Sequence, residues 1–288
     1  MLGTLRKVGA AVAVITAVMS ILAAAPASAA NPNYQQAFAT YQFGTDYTNV
    51  SGYVPCPTGT KAVTTGATSG DRDSMLSAGS TTFDGTRGFH AAWGHDNRTL
   101  QLKATCVASS RLAGSIPTTL TVRDSRTGWR SYVKSVTCPA GTVAYGGGGN
   151  QLTGGVPSGH LYTFGSMPNG NGWTYGASGT LGSSHLAVGA HCVPRAKLGN
   201  IVTVSNTATR PDVTGRPQIF ASARCPSGYF AFAGGAWYHP VGSTTPEWRG
   251  YITTSDIAAD ERGWFALGTT WYPGTQLTSV VRCTDRLG

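Results

Sequence analysis

Residues 138–149 read CPAGTVAYGGGG, and the Cys-Pro-x-Gly pattern that begins this stretch occurs three times in the chain. Each copy is followed 50 to 58 residues later by a second cysteine, and this accounts for all six cysteines: Cys56 with Cys106, Cys138 with Cys192, and Cys225 with Cys283. A glycine three positions and an alanine six positions after the first cysteine also recur in every copy. Self-similarity at a fixed spacing indicates duplication, so we expect three repeats of one unit.

The segment before each closing cysteine alternates apolar and polar residues. In the first copy Leu100, Leu102, Ala104 and Cys106 occupy every second position. Alternate side chains of a β-strand share one face, so the pattern predicts a strand whose cysteine points into the core. Abundant glycine and proline and only 12 acidic residues favour short strands and turns over helices. The predicted fold class is all-β: three tandem antiparallel β repeats of about 85 residues, pseudo-threefold or closely packed, with one disulfide per repeat.

Six cysteines permit fifteen pairings. Repeat symmetry favours the pairs in which each copy is closed by its own cysteines: Cys56–Cys106, Cys138–Cys192 and Cys225–Cys283. Closing a loop of about 50 residues stabilises a fold by roughly 4 kcal/mol on the chain-entropy estimate. The sequence has no Cys-x-x-Cys and no histidine at ligand spacing, so we expect neither a metal site nor a cofactor.

The first 30 residues have the features of a secretory signal peptide. Arg6 and Lys7 precede an apolar run that ends in small residues at cleavage-site spacing. A membrane anchor is the alternative, but the run is short and is interrupted by Thr16 and Ser20. The expected organisation is a signal peptide at 1–30 and β repeats at 31–110, 111–196 and 197–288. We therefore expect a secreted, extracellular protein whose mature chain has no transmembrane segment, in a compartment where disulfides persist.

The mature chain is moderately basic, because removal of the leader leaves 19 basic and 12 acidic residues. The basic residues are scattered singly, and only 11% of all residues are charged. A nucleic-acid-binding protein usually gathers its basic residues into a stripe or patch. We therefore expect no nucleic-acid partner.

Aromatic residues are unevenly distributed among the repeats. A Gly-aromatic pair recurs at Gly88-Phe89, Gly172-Trp173 and Gly263-Trp264, and these three rings are predicted core residues. The third repeat carries further rings around a loop unlike those of the other copies, and the predicted binding residues are Trp237, Tyr238, His239, Trp248, Tyr251, Trp271 and Tyr272. Flat rings beside polar groups stack on sugars, and loops on a rigid scaffold commonly bind ligands. Packing within or between repeats is the alternative role for these rings.

The sequence contains no recognisable catalytic motif, such as Gly-x-Ser-x-Gly, His-Glu-x-x-His or a Walker loop. We therefore predict a secreted, non-catalytic protein that binds carbohydrate or a cell-surface polymer. One alternative is a secreted hydrolase or toxin that uses carboxylates of the third repeat, either Glu247 with Glu261 or Asp256 with Asp260. Another is a protein-binding or inhibitory module whose partner is a secreted protein.

The Ala-rich end of the leader, the stretch at 138–149 and the spacing from Gly-Trp to the closing cysteine resemble a repeat of secreted actinobacterial proteins. The resemblance covers nearly all of the mature chain and is clearest in the second copy. It implies an exported β-rich repeat protein and brings no firmly assigned activity with it. The first copy departs from the pattern, because Thr65-Gly66-Ala67 replaces the glycine run and Phe89 replaces tryptophan.

Overall fold

The structure is a computed structural model that describes residues 34–69, 74–81, 85–123, 128–153, 156–157, 161–181, 184–239 and 250–286. Most of these residues lie in β-strands, and the only helices among them are two short 3-10 helices, Ser109–Leu112 and Arg195–Lys197. The chain is therefore all-β. Within the described part, no helix has the length and apolar character needed to cross a membrane. The predicted signal peptide at 1–30 lies outside the described residues.

Each repeat contains six main strands. The first repeat has β1 (Gln35–Gln42), β2 (Thr48–Pro55), β3 (Thr60–Thr68), β4 (Met75–Thr81), β5 (Arg87–Gly94) and β6 (Thr99–Ala108). The second has β7 (Ile116–Arg123), β8 (Arg130–Val136), β9 (Thr142–Thr153), the two-residue β10 (Val156–Pro157), β11 (Tyr162–Asn169), β12 (Gly172–Gly179) and β13 (His185–Pro194). The third has β14 (Ile201–Thr209), β15 (Gln218–Arg224), β16 (Phe230–His239), β17 (Gly250–Ile257), β18 (Gly263–Thr270) and β19 (Gln276–Thr284).

These strands form three sheets, and every sheet combines strands of two repeats. Sheet 1 has the order β1-β6-β3-β17-β18-β15, sheet 2 the order β2-β5-β4-β9-β13-β7, and sheet 3 the order β14-β19-β16-β11-β12-β8. The repeats join through the antiparallel pairs β3–β17, β4–β9 and β11–β16. Because the first and last repeats complete sheet 1 together, the chain closes into a ring.

The predicted fold, three tandem antiparallel β repeats with one disulfide per repeat, is wrong. A tandem array requires each repeat to complete its own sheets, whereas here the third strand of each repeat pairs with the fourth strand of another. The prediction failed because side-chain alternation specifies which face of a strand is buried and does not specify which strand lies beside it. The three shared sheets surround a common centre, as the blades of a β-propeller do.

The disulfides run between sheets. They join Cys56–Cys106, Cys138–Cys192 and Cys225–Cys283, which are the predicted pairs. One cysteine of each pair follows the second strand of its repeat and the other lies in the last strand, and these two strands belong to different sheets. The bridges therefore connect sheet 1 with sheet 2, sheet 2 with sheet 3, and sheet 3 with sheet 1, so covalent bonds reinforce the ring.

The centre of the molecule is built from all three repeats. The third strands β3, β9 and β16 contact one another there. One core cluster contains Val63 of the first repeat, Tyr145 of the second and Phe232 of the third. The hydrophobic core is therefore shared between the repeats in the same way as the sheets.

Glycines on the central strands allow two indole rings to lie against the backbone. A Cβ atom added to Gly147 would lie 2.5 Å from Trp173, and one added to Gly234 would lie 2.3 Å from Trp264. The Nε1 of Trp264 donates a hydrogen bond of 3.0 Å to Ser255 Oγ. The close approach explains why glycine recurs at this position in the second and third repeats.

The first repeat lacks the third indole. In the other repeats the residue two positions before the first cysteine pairs with the tryptophan of the Gly-Trp pair. In the first repeat that residue, Val54, pairs with Gly88. Phe89 is buried but lies on the opposite face of β5, where its ring is 5.1 Å from Tyr53. Phe89 was predicted to be equivalent to the two tryptophans, but Gly88 occupies their place in the structure. A shift of one residue along a strand moves a side chain to the opposite face of the sheet.

Candidate functional site

One end of the molecule carries matching connections from all three repeats. Neighbouring strands are antiparallel throughout each sheet, so the connections from first to second, third to fourth and fifth to sixth strand share one end of a repeat. The pairs that join the repeats are also antiparallel, so this end points the same way in every repeat. We call it the loop face.

A large side chain recurs on the loop face, nine residues before the first cysteine of each repeat. The three residues are Tyr47, Trp129 and Arg216. Each lies one or two positions before the second strand of its repeat and packs on an aromatic ring of that repeat. We call the resulting pairs the aromatic platforms: platform 1 is Tyr47 with Trp93, platform 2 is Trp129 with Tyr162, and platform 3 is Arg216 with Trp271.

Platform 3 combines a cation with exposed ring surface. The guanidinium carbon of Arg216 lies 4.3 Å from the ring centroid of Trp271. Arg216 Nη1 also donates a hydrogen bond of 3.1 Å to the hydroxyl of the buried Tyr251, whose ring meets Trp271 edge to face at 5.9 Å. Trp271 and the adjacent Tyr272 expose 40% and 42% of their surface. Apolar ring surface beside a multiple donor suits a ligand with one apolar face and a rim of hydroxyls.

Two connected loops hold platform 3 in place. The guanidinium of the buried Arg210 donates hydrogen bonds to three backbone carbonyls of its own loop, those of Pro211, Val213 and Gly215. The backbone N–H of Arg210 donates to the carbonyl of Thr275 at 2.8 Å and joins this loop to the turn that follows Trp271. Thr275 Oγ1 in turn donates to the carbonyl of Tyr272 at 2.8 Å. Rings ordered before binding lose less conformational entropy when a ligand arrives.

Platform 1 is a nearly parallel stack. The ring centroids of Tyr47 and Trp93 are 5.8 Å apart with an interplanar angle of 11°, and Tyr47 is 44% exposed. The His95 ring lies 5.8 Å from Tyr47, and His95 Nδ1 lies 2.5 Å from Asp96 Oδ2. Asp96 and Asn97 have positive φ angles of 61° and 56°, so the chain turns tightly between β5 and β6. This turn places an imidazole and a carboxylate beside the stacked rings.

Platform 2 takes its second ring from a different strand. Trp129 is 50% exposed and stacks on Tyr162 with a centroid distance of 5.3 Å and an angle of 21°. Tyr162 begins β11, the fourth main strand of its repeat, whereas Trp93 lies in the fifth strand of the first repeat. Burial raises the pKa of the Tyr162 hydroxyl, which therefore stays neutral at ordinary pH. The ring under the loop residue thus comes from the fourth main strand in the second repeat and from the fifth strand in the first repeat, although the loop residue has the same position in all repeats.

Part of the predicted binding set lies on or beneath the loop face. Trp271 and Tyr272 are exposed in the turn after β18, His239 is exposed at the end of β16, and Tyr251 is buried beside Trp271. The position of Trp248 lies outside the described residues. The structure therefore brings Tyr251 and Trp271 together beside Arg216, and Tyr272 follows Trp271 in the same turn.

Two other residues of the predicted set belong to the core. Trp237 is half-buried and meets Phe164 edge to face at 5.4 Å. Tyr238 is only 4% exposed, and its ring packs so closely on Gly268 that an added Cβ would lie 2.0 Å from the hydroxyl. Burial raises the pKa of Tyr238 well above its usual value. Tyr238 is therefore part of a core cluster, and the partly buried Trp237 packs against that cluster.

Five platform residues were not among the predicted binding residues: Tyr47, Trp93, Trp129, Tyr162 and Arg216. The common offset of nine residues before the first cysteine was the signal that could have identified three of them. It was not apparent because the three residue types differ, and Arg216 is not aromatic. The partner rings have no common offset and could be found only from the fold.

Three of the four carboxylates predicted as catalytic candidates, Asp256, Asp260 and Glu261, lie near the β17–β18 turn, at the end opposite the loop face. Glu261 is buried and accepts a hydrogen bond of 2.9 Å from Gln36 Nε2. Asp260 forms an ion pair with Arg224. Asp256 accepts a hydrogen bond of 2.7 Å from the backbone N–H of Ile257. Glu247 lies outside the described residues.

The central cavity is too small to hold a sugar. Its volume is about 40 Å³, and residues of all three repeats line it, including Thr65, His90, Trp173 and Trp264. This volume has room for about three water molecules. Burial lowers the pKa of His90 to about 4, so its imidazole is neutral at ordinary pH. Among the described residues, no group of three His, Cys, Asp or Glu side chains is arranged to hold a metal ion.

Comparison with known proteins identified no relative: no protein-family model matches the sequence, and no curated protein matches it either. The resemblance to secreted actinobacterial repeat proteins therefore stays a prediction.

Proposed function

We propose that the protein is an exported, non-catalytic binding protein that recognises carbohydrate, such as a cell-wall polysaccharide, through the aromatic platforms. The observation that carries this proposal is that the residue nine positions before the first cysteine packs on an aromatic ring at the loop face in all three repeats. Aromatic faces bind the apolar face of a pyranose ring, while nearby polar groups fix its orientation. Arg216 and His95 provide such polar groups in platforms 3 and 1.

Export is part of the proposal. The leader-like sequence at residues 1–30 and three interlocking disulfides support it, because structural disulfides persist in oxidising compartments. Protein recovered from the culture medium should begin near residue 30 or 31 on N-terminal sequencing. Recovery of the uncleaved chain from the cell interior would contradict export.

The hydrolase alternative receives less support from the geometry. Glu261 is buried and hydrogen-bonded to Gln36, and Asp260 is paired with Arg224. A glycosidase needs two carboxyl groups that flank a bound substrate. These two groups instead hold the β17–β18 turn in place, so we favour binding without catalysis.

A sedimentation assay tests carbohydrate binding. Purified protein is mixed with insoluble peptidoglycan, chitin or cellulose, and the bound fraction is measured for the wild type and for Trp271→Ala. Removal of a central interface ring should weaken binding to the recognised polymer about tenfold. Phe220→Ala is the matched control, because Phe220 is an exposed ring, 52% accessible, in the edge strand β15 and outside every platform. Equal binding by the wild type, Trp271→Ala and heat-denatured protein would contradict the proposal.

A further inference from the structure

We infer that the three aromatic platforms act together, so that the protein is a trivalent binder of repeating polysaccharide and not a receptor for a single sugar. This inference rests on the proposed function and adds the class of ligand, a polymer with many equivalent units. It starts from the antiparallel pairs β3–β17, β4–β9 and β11–β16, which point all three platforms in the same direction. All three platforms are therefore presented to a polymer on the same side of the molecule.

Each platform alone offers a small contact surface. Tyr47, Trp129 and Trp271 are 44%, 50% and 40% exposed, so each presents about half of one side chain to a ligand. The central cavity of about 40 Å³ has room for only about three water molecules. Open, shallow contacts of this kind give weak affinity for a monosaccharide.

Linking weak sites changes the strength of binding. Once one platform is occupied, the next sugar of the same chain binds at a high effective concentration, and overall affinity can rise by a factor of about 10² to 10⁴ without any new type of contact. The gain is lost when the geometry prevents simultaneous contact. A fixed spacing that suits the polymer gives this gain without the entropic cost of ordering flexible modules.

The ring provides that fixed spacing. Each platform includes a residue just before the second strand of a repeat, and that strand ends at a disulfide-bonded cysteine: Tyr47 precedes Cys56, Trp129 precedes Cys138, and Arg216 precedes Cys225. Each disulfide connects the sheet that contains this second strand with another sheet, and every sheet is shared by two repeats. The three platforms therefore belong to one cross-linked scaffold and do not sit on separate flexible modules.

The platforms are chemically different, which makes their contributions separable. Platform 1 offers tyrosine over tryptophan, platform 2 tryptophan over tyrosine, and platform 3 arginine over tryptophan. Each platform includes a ring that is 40% to 50% exposed and can contact the apolar side of a pyranose. A chain of similar sugars can satisfy all of them, whereas a unique ligand would require one elaborated site.

The test compares Tyr47→Ala, Trp129→Ala and Trp271→Ala singly, in pairs and together, with Phe220→Ala as control. The probes are insoluble peptidoglycan, chitin and cellulose, and soluble disaccharides released from each. For the recognised polymer we expect each single substitution to weaken binding about tenfold, and the triple substitution to remove it. The wild type should prefer the polymer to its disaccharide by at least about 100-fold, and this preference should fall towards unity in the double variants.

Two results would overturn the inference. In the first, one single substitution abolishes binding and the other two variants bind like the wild type. This result would show that only one platform binds, which supports the proposed function and contradicts trivalency. Wild-type binding that equals that of the triple variant on every probe would remove both the inference and the proposed function. Non-reducing electrophoresis and thermal unfolding of each variant establish that the three disulfides and the fold are retained.

Discussion

Gly234 shows how a single residue determines the packing of the core. An added Cβ atom would lie 2.3 Å from Trp264, closer than side chains approach in folded proteins. The indole is fixed on its other side by the hydrogen bond to Ser255. We expect Gly234→Ala to destabilise the protein by about 1–3 kcal/mol through overpacking, measured by urea unfolding with the disulfides intact.

Gly189→Ala is the matched control for this substitution. Gly189 also lies within a strand, β13, but an added Cβ would be no closer than 3.5 Å to any neighbour. The control should change the free energy of unfolding by less than half as much as Gly234→Ala. Equal effects at both positions would show that the indole does not press on β16.

Asp256 and His90 make opposite contributions to the pH dependence of stability. Burial raises the pKa of Asp256 to about 6, although the Lys103 ammonium and the N–H of Ile257 act to lower it. Its stabilising contribution is fully present below pH 3.8 and is lost as the pH rises through about 6. Burial lowers the pKa of His90 to about 4, so its contribution is present above pH 6.5 and is lost as the pH falls through about 4. Between about pH 4 and 6, the stability lost through Asp256 as the pH rises is offset by the stability gained through His90.

Asp256→Asn should expose the contribution of His90. The wild type should show little net change in the free energy of unfolding between about pH 4 and 6 from these two groups, whereas the variant should become more stable as the pH rises, by roughly 3 kcal/mol at most. Chemical denaturation at several pH values measures this slope. The same pH profile in both proteins would show that Asp256 titrates alike in its folded and unfolded states.

At the scale of the strand, the first repeat differs from the others by one position of register. Gly88 of β5 occupies the place of the tryptophans, and an added Cβ at Gly88 would lie 2.6 Å from Thr65 Cγ2. The first repeat therefore has a larger side chain on β3, Thr65, where the other repeats have glycine, and a glycine on β5, Gly88, where they have tryptophan. We expect Gly88→Ala to destabilise the protein by about 1–3 kcal/mol.

Thr65→Gly should relieve this clash. In the double variant Thr65→Gly/Gly88→Ala the loss of stability should be smaller than the sum of the two single losses by about 0.5–3 kcal/mol, because the two positions are in contact. Urea unfolding of the four proteins in the cycle measures this coupling. Strict additivity would place Gly88 and Thr65 apart and contradict the register.

Strands were predictable from the sequence, and their partners were not. The alternation in β6 correctly placed Leu100, Leu102 and Cys106 in the core, where each is at most 1% exposed. The cysteine pairs were also correct, because repeat symmetry left one natural choice. The junction β4–β9 has no comparable signal, since an alternating strand fits any partner with the right buried face.

The candidate site was predictable only in part, and for a similar reason. The aromatic content of the third repeat drew attention to Trp271 and Tyr272, which are exposed, and equally to Tyr238, which is buried. A ring in a strand is exposed or buried according to what packs against its sheet, and the packing of Tyr238 on Gly250 and Gly268 is seen only in the folded structure. Arg216 could not be selected from residue type, because its role depends on a ring 55 residues away in the chain.

At the scale of the whole molecule, sharing of sheets accounts for both the fold and the direction of the platforms. If the repeats were separate units, Tyr47, Trp129 and Arg216 would have no fixed relation to each other. The antiparallel junctions remove this freedom, and the disulfides reinforce each corner between sheets. The proposed multivalent binding relies on this fixed arrangement, which avoids the entropic cost of ordering flexible modules.

Nuclear Overhauser contacts across the three junctions of the labelled protein test the shared sheets most directly. The structure predicts backbone contacts between Thr68 and Thr254, between Gly79 and Gly149, and between Gly165 and Trp237. Observation of all three contacts would establish a closed ring in solution. Backbone contacts confined to strands of the same repeat would contradict the shared sheets, and with them the common direction of the aromatic platforms.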